Sequence, residues 1–174
     1  GAQKRVNFVH VSRTRFQKSA FHDLSLVTSS SRKWAVSVKD LMDWGPLVAA
    51  KISQAPRYIF HTSYCGSTLL SRSLDVPGKC VVYREPQIIY ELRMLRHRID
   101  GGDLVYLVDW RRLFATVIGL LQRSFAEDEQ VLVKLAAEDS YVMESLLNVG
   151  ESARGIFLYN DLPEHLTAVL KSKQ

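Results

Sequence analysis

Gly66, Ser67 and Thr68 follow the apolar run Tyr58-Ile59-Phe60 at the distance of one short polar loop, residues 61–66. Read as strand, glycine-bearing loop and helix start, this order builds an anion site. The first N–H groups of a helix have no intrahelical partner, and the helix dipole puts partial positive charge there. A phosphate fits such a terminus, and the Ser67 and Thr68 hydroxyls can add hydrogen bonds. The stretch is not a Walker A loop, because Ser67 stands where that motif needs the lysine that reaches the outer phosphates. ATP hydrolysis is therefore disfavoured. The plainer reading, an ordinary strand-to-helix turn, is open on these residues alone.

The elements that must position this loop come from a chain of 174 residues, the size of one domain. Its 47% hydrophobic and 24% charged content is that of a globular protein. A net charge of +5 suits an anionic ligand, but the charge is scattered and gives no footprint for nucleic acid. Cys65 and Cys80 have neither metal-site spacing nor a disulfide framework, so a reducing, cytoplasmic setting is expected. No apolar run approaches the ~20 residues of a membrane span, and the first residues lack the apolar core of a signal peptide.

Residues 1–54 read as a flap packed on the main domain, residues 55–174. Val6 and Phe8, then Trp34, Val36 and Val38, alternate as in short half-exposed strands. Residues 28–31 read as a loop. Asp40 is a candidate cap for a helix to Ile52, which Gly45-Pro46 is expected to break. Past the loop the pattern becomes regular. Strand 79–83 leads to a helix opened by Pro86, with Ile88, Ile89, Leu92, Leu95 and Ile99 inward and Arg93, Arg96, His97 and Arg98 outward. Gly101-Gly102 ends it, and a helix over about 103–125 follows. Strand 131–135, a helix over about 139–149 burying Val142, Leu146 and Leu147, and strand 156–159 come next. Asp161 with Glu164 resembles a capping box for the last helix.

Four short apolar strands alternating with helices predict an α/β fold, a P-loop-type parallel sheet flanked by helices, with a small β-rich flap at the N-terminus. Ligands of such sheets sit beyond the carboxyl ends of the strands. Residues 61–68, Arg84-Glu85, Lys134 and Asn160-Asp161 should therefore converge.

The strings HTSYCGSTLLSRSLD, YREP, VLVKLA and GIFLYNDLPEHLTAVLK, in this order over residues 57–171, resemble the PAPS-dependent sulfotransferases. The likeness is to the bacterial sulfotransferase-family proteins and, more distantly, to the tyrosylprotein sulfotransferases. It implies binding of 3′-phosphoadenosine 5′-phosphosulfate (PAPS) or its product PAP. It implies transfer of a sulfuryl group to a hydroxyl or amine of a small-molecule or peptide acceptor, without a metal. The positions implied for the nucleotide are Ser63, Tyr64, Cys65, Gly66, Ser67 and Thr68, with Arg72 as a substitute cation, and Tyr159 and Thr167 for the 3′-phosphate. The chain departs from the family at four of its positions. Tyr64 stands where a loop cation is usual, Tyr159 where Arg is, Thr167 where Ser is, and Ala136 where the cytosolic branch has its histidine. Glu85 matches the catalytic glutamate of the tyrosylprotein branch. The family continues past the second phosphate helix, so a fragment or a reduced relative is expected here.

Sulfuryl transfer needs in-line geometry and stabilised charge on the transferring and leaving oxygens. Glu85 is the first candidate for the base and His61 the second, with Lys134 or Arg72 as the cation. Each has a plainer reading. Glu85 can cap the helix at Pro86, Arg72 can be solvated, Lys134 can snorkel from a strand end, and His61 can be a satisfied core histidine. A nucleotide- or partner-binding relative without turnover stays open, as does, with less in its favour, a P-loop kinase or NTPase.

Overall fold

The computed structural model describes residues 5–51, 55–102, 109–150 and 152–172. Alternating apolar residues make the first two strands, β1 (Arg5–Val9) and β2 (Lys33–Ser37). They pair antiparallel with Arg5 opposite Ser37, and Phe8 stacks on Trp34 with ring centroids 5.9 Å apart. Between them lie α1 (Arg13–Lys18), capped by the Ser12 hydroxyl, and a 3-10 turn, Leu24–Leu26, capped by the Asp23 carboxylate.

Helix α2 (Val38–Ala49) departs from expectation in three ways. Val38 belongs to it rather than to the strand. Its cap is Ser37, whose hydroxyl accepts from the Asp40 N–H and donates to the Asp40 carboxylate. It also runs through Gly45-Pro46. Pro46 has no N–H for the Met42 carbonyl, and the Arg112 guanidinium donates to that carbonyl instead, at 3.0 Å. Gly45 permits close packing: a Cβ there would lie 2.5 Å from Thr116 Cγ2. The expected end at Ile52 lies outside the described residues.

The rest of the chain alternates as predicted. β3 (Arg57–His61), α3 (Ser67–Leu74), β4 (Cys80–Arg84), α4 (Gln87–Asp100), α5 (Trp110–Leu121) and β5 (Gln130–Lys134) follow in order. A 3-10 run, Ala137–Val142, then leads into α6 (Met143–Leu147), β6 (Arg154–Leu158) and α7 (Leu162–Lys171). The four strands from β3 on form one parallel sheet in the order β4-β5-β3-β6, so the chain is α/β with a small antiparallel sheet at its N-terminus. The connection from β3 passes over β5 to β4, and the connection from β5 passes over β3 to β6. Leaving in opposite directions, they open a crevice beyond the carboxyl ends of β3 and β5, the usual ligand position in open α/β sheets.

Tyr58, Ile59, Phe60 and Val133 are buried, and Leu41 of α2 shares one core with Phe60, Ile89, Phe114 and Leu146. Phe16 of α1 packs separately with Val81 and Val131. The opposite edge is open: Ile156 and Phe157 of β6 are each 51% exposed, and no residue of α7 is buried.

Several expected boundaries move. Asp109 caps α5 through the Arg112 N–H, and the earlier start expected at Asp103, with Leu107, lies outside the described residues. Asp139 starts no helix. Its carboxylate accepts from the Ala136 N–H and pairs with Arg93 at 3.0 Å, so Arg93 is held rather than solvated. Leu147 is partly exposed, and β6 ends before Tyr159. Among the described residues no helix is long and apolar enough to cross a membrane.

Candidate functional site

β3 delivers the loop at the crevice. The Thr62 N–H still pairs with the Leu158 carbonyl of β6, and the chain then turns. Tyr64 and Gly66 both take left-handed backbone angles, φ 63° and 78°. Gly66 is the N-cap of α3 and supplies no side chain, so the first turn depends on its backbone alone. Residues 63 and 64 form a turn that brings the Cys65 N–H toward the Thr62 carbonyl, and among the described residues the N–H groups of Ser63, Tyr64, Gly66, Ser67 and Thr68 have no protein acceptor. Successive N–H groups around left-handed residues make a concave anion nest, here continuous with a helix N-terminus. Ser67 is buried beneath it and Thr68 half-buried.

The loop's other polar groups are already engaged. The Asn160 amide donates to the Tyr64 carbonyl at 2.8 Å, and His165 Nδ1 lies 3.1 Å from the Ser63 carbonyl. The Tyr64 hydroxyl donates to Ser172 Oγ at 2.8 Å, and Cys65 Sγ to the Thr62 carbonyl at 2.9 Å. With these carbonyls tied down, the loop offers a ligand its amides. Tyr64 adds no charge.

Beside the loop, strand register assembles the second group. Lys134 pairs in register with Ile59 on one side and Arg84 on the other. Lys134 Nζ donates to Glu85 Oε1 in a close ion pair, and His61 Nε2 lies 3.9 Å from the same oxygen. Lys134 and His61 have side chains 2% and 7% exposed, whereas that of Glu85 is 26% exposed. Both His61 nitrogens face carbonyl oxygens at 2.8 Å, those of Thr62 and Leu135. Carbonyl oxygens only accept, so a neutral ring can donate to one of the two and leaves its other nitrogen without a donor; the contacts fix the ring's position. Glu85 is not the cap of α4, whose N-cap is Pro86 with no side-chain bond.

Glu85 is also strained. Its φ of 51° is left-handed in a non-glycine residue, a conformation that costs about 1–3 kcal/mol and gathers at functional sites. Its N–H is fixed to the Lys134 carbonyl at 2.7 Å.

The sequence pattern places Arg84 beside Glu85 at the strand end, but the two side chains part. Neighbours in a strand point to opposite faces, and Arg84 is buried on the other one. Its guanidinium pairs with Asp75 at 2.6 Å and donates to the carbonyls of Phe16 and Gln17. Arg13 reaches the other Asp75 oxygen at 2.5 Å, and the Glu129 carboxylate accepts from the N–H groups of Gly78, Phe125 and Ala126. His22 completes this network. Its Nδ1 accepts from the Arg84 N–H at 2.8 Å, so its proton is on Nε2, which donates to the Phe16 carbonyl at 3.0 Å. Burial, seconded by the Arg84 charge, pushes the His22 pKa down to about 4, so the ring is neutral at pH 7. Nothing in periodicity or spacing marks His22.

The remaining expected positions do not reach the loop through any described polar contact. Arg72 is exposed in the last turn of α3, five residues beyond Ser67, about 7.5 Å along the helix axis. Tyr159 is 71% exposed just past β6. Thr167 donates to the Pro163 carbonyl at 2.8 Å, on the outer side of α7.

No family model, curated protein or solved structure matches the chain.

Proposed function

We propose that this chain is a sulfotransferase-like protein that binds PAPS or PAP and passes a sulfuryl group to a hydroxyl or amine. The observation that carries the reading is the set of acceptor-free amides of the loop and the α3 start, Gly66 to Thr68 above all, at the same end of the sheet as the Glu85–Lys134 pair. The amides suit the 5′-phosphosulfate, and they hold it without a metal or a loop lysine. Both described contacts of the Glu85 carboxylate are to Oε1, so Oε2 is the oxygen that takes a proton. In the step, Glu85 removes the acceptor's proton and the freed oxygen or nitrogen attacks sulfur. The bond from sulfur to the 5′-phosphate oxygen breaks, and PAP leaves with that oxygen's charge on the loop amides. Lys134 holds the Glu85 carboxylate in place through Oε1. The test is release of PAP from PAPS across a panel of phenols, alcohols, amines and tyrosine peptides without added metal. Release that depends on an acceptor supports the proposal, and none with any acceptor contradicts it.

A second reading, nucleotide binding without turnover, is favoured by one observation. Lys134, the strand-end cation beside Glu85, is buried and committed to that residue, and the loop itself has Tyr64 in place of a cation. Binding of PAP with no acceptor-dependent release selects this reading.

A further inference from the structure

We infer that His22, in the N-terminal segment, is a positioning residue that holds Glu85 in its left-handed conformation. The functional meaning of this rests on the reading of Glu85 as the base. Glu85 precedes Pro86, and a residue in that place favours extended backbone. Something must therefore hold residues 84–87 in their observed course. His22 bonds to this stretch on both sides of Glu85. Its ring Nδ1 accepts from the Arg84 N–H at 2.8 Å, its own N–H donates to the Arg84 carbonyl at 2.6 Å, and its carbonyl accepts from the Gln87 N–H at 3.1 Å. The third bond also satisfies one of the free amides at the start of α4.

The clamp is itself rigid. The His22 ring lies against the Phe16 ring with centroids 3.7 Å apart, and Nε2–H is fixed to the Phe16 carbonyl. The adjacent residue touches the other half of the ion pair: the Phe21 ring centroid lies 5.7 Å from Lys134 Nζ. One dipeptide, Phe21-His22, thus borders both the backbone of Glu85 and the ammonium of Lys134. The flap is part of the site rather than a cover for the sheet edge. Freed from the clamp, Glu85 relaxes toward extended backbone and its carboxylate swings away from Lys134 and from the loop.

The first measurement needs no variant. In a spectrum of the protein with ¹⁵N-labelled histidine at pH 7, His22 should be neutral with its proton on Nε2; a proton on Nδ1 overturns the inference. The second compares His22→Asn, whose amide oxygen reaches the place of Nδ1, with His22→Gln, whose amide reaches the place of Nε2. Residue-resolved hydrogen exchange then reads the clamp directly. In His22→Gln the Arg84 and Glu85 amides should exchange at least about tenfold faster relative to those of Val82 and Val131. In His22→Asn they should stay near wild type. Turnover of PAPS should fall on the order of 10²-fold in His22→Gln, with KM for the nucleotide little changed, and should recover in His22→Asn. Exchange raised equally throughout β4 and β5, or the same in both variants, overturns the inference. A wild-type protein that never consumes PAPS but shows the expected exchange pattern refutes the sulfuryl-transfer reading and leaves the clamp standing.

Discussion

Lys134 and Glu85, 49 residues apart in sequence, form an ion pair whose two members differ in exposure: the Lys134 side chain is 2% exposed and that of Glu85 26%. The parallel pairing of β4 with β5 brings them together, since Arg84 is opposite Lys134 and Glu85 is the next residue. The inequality matters because a lone carboxylate at this site can be solvated, whereas a lone ammonium cannot.

Glu85→Gln should therefore destabilise the protein more than Lys134→Met. Stranding the buried ammonium costs about 3 kcal/mol, whereas stranding the accessible carboxylate costs about 1 kcal/mol or less. Urea unfolding of both variants reads the order directly, and Lys134→Met as the worse of the two would contradict the geometry. Glu85→Gln should also lower turnover by about 10²–10⁴ while leaving PAP affinity nearly unchanged.

Gly66→Ala isolates the loop. No atom lies within 4 Å of the position a Cβ would take, so the folded chain has room for it. The left-handed φ of 78° still costs a non-glycine residue about 1 kcal/mol. That methyl group would stand where a bound phosphate must approach the backbone. The variant should fold, melt a few degrees lower and bind PAP at least about tenfold more weakly. Unchanged affinity would place the anion site elsewhere.

Acid should act partly through His22. Its folded pKa of about 4 lies below the ordinary 6.5. Between these values the unfolded chain binds a proton that the folded chain refuses. The contribution is thus complete above pH 6.5 and is lost as pH falls toward 4. It amounts to about 3 kcal/mol. The stability difference between wild type and His22→Asn, followed by urea unfolding from pH 7 to pH 4, should shift against the wild type by that order. A difference constant with pH would mean that His22 takes up its proton as readily in the folded chain as in the unfolded one.

Much of this arrangement was legible in the sequence. The run Tyr58-Ile59-Phe60 followed by Gly66-Ser67 marked β3 and the start of α3, because a buried strand and a helix start have local signatures. The meeting of His61, Glu85 and Lys134 followed from the rule that parallel strands end on one side. What was not legible depended on partners remote in sequence. Pro46 sits inside α2 because Arg112 takes the Met42 carbonyl, which no local rule foresees. Arg84 turned away from Glu85 to Asp75, and Asp139 to Arg93, for the same kind of reason. His22 lies in a segment with no periodicity, and its role exists only through hydrogen bonds to residues 84 and 87.

The contact of α2 with α5 is testable in the same spirit. In Gly45→Ala the new methyl group would lie 2.5 Å from Thr116 Cγ2, and such overpacking typically costs about 1–3 kcal/mol. This outweighs the gain of up to about 1 kcal/mol in helix propensity. Thr116→Ser removes Cγ2, so in that background Gly45→Ala should be neutral or stabilising. Equal effects in both backgrounds would show that the two helices do not meet at this point.

Metal-free binding of the phosphosulfate end of a nucleotide at the loop amides is what we propose for this chain. The most direct measurement is thermal unfolding with PAP, PAPS, ATP and GTP, each with and without Mg²⁺. A ligand at a hundred times its Kd stabilises by about 2.7 kcal/mol, which for a domain of this size raises Tm by roughly 5–11 °C. PAP and PAPS should each give such a rise, unaffected by Mg²⁺ and larger than with ATP or GTP. An equal or larger rise with ATP that requires Mg²⁺, or none with any of the four, would contradict the proposal.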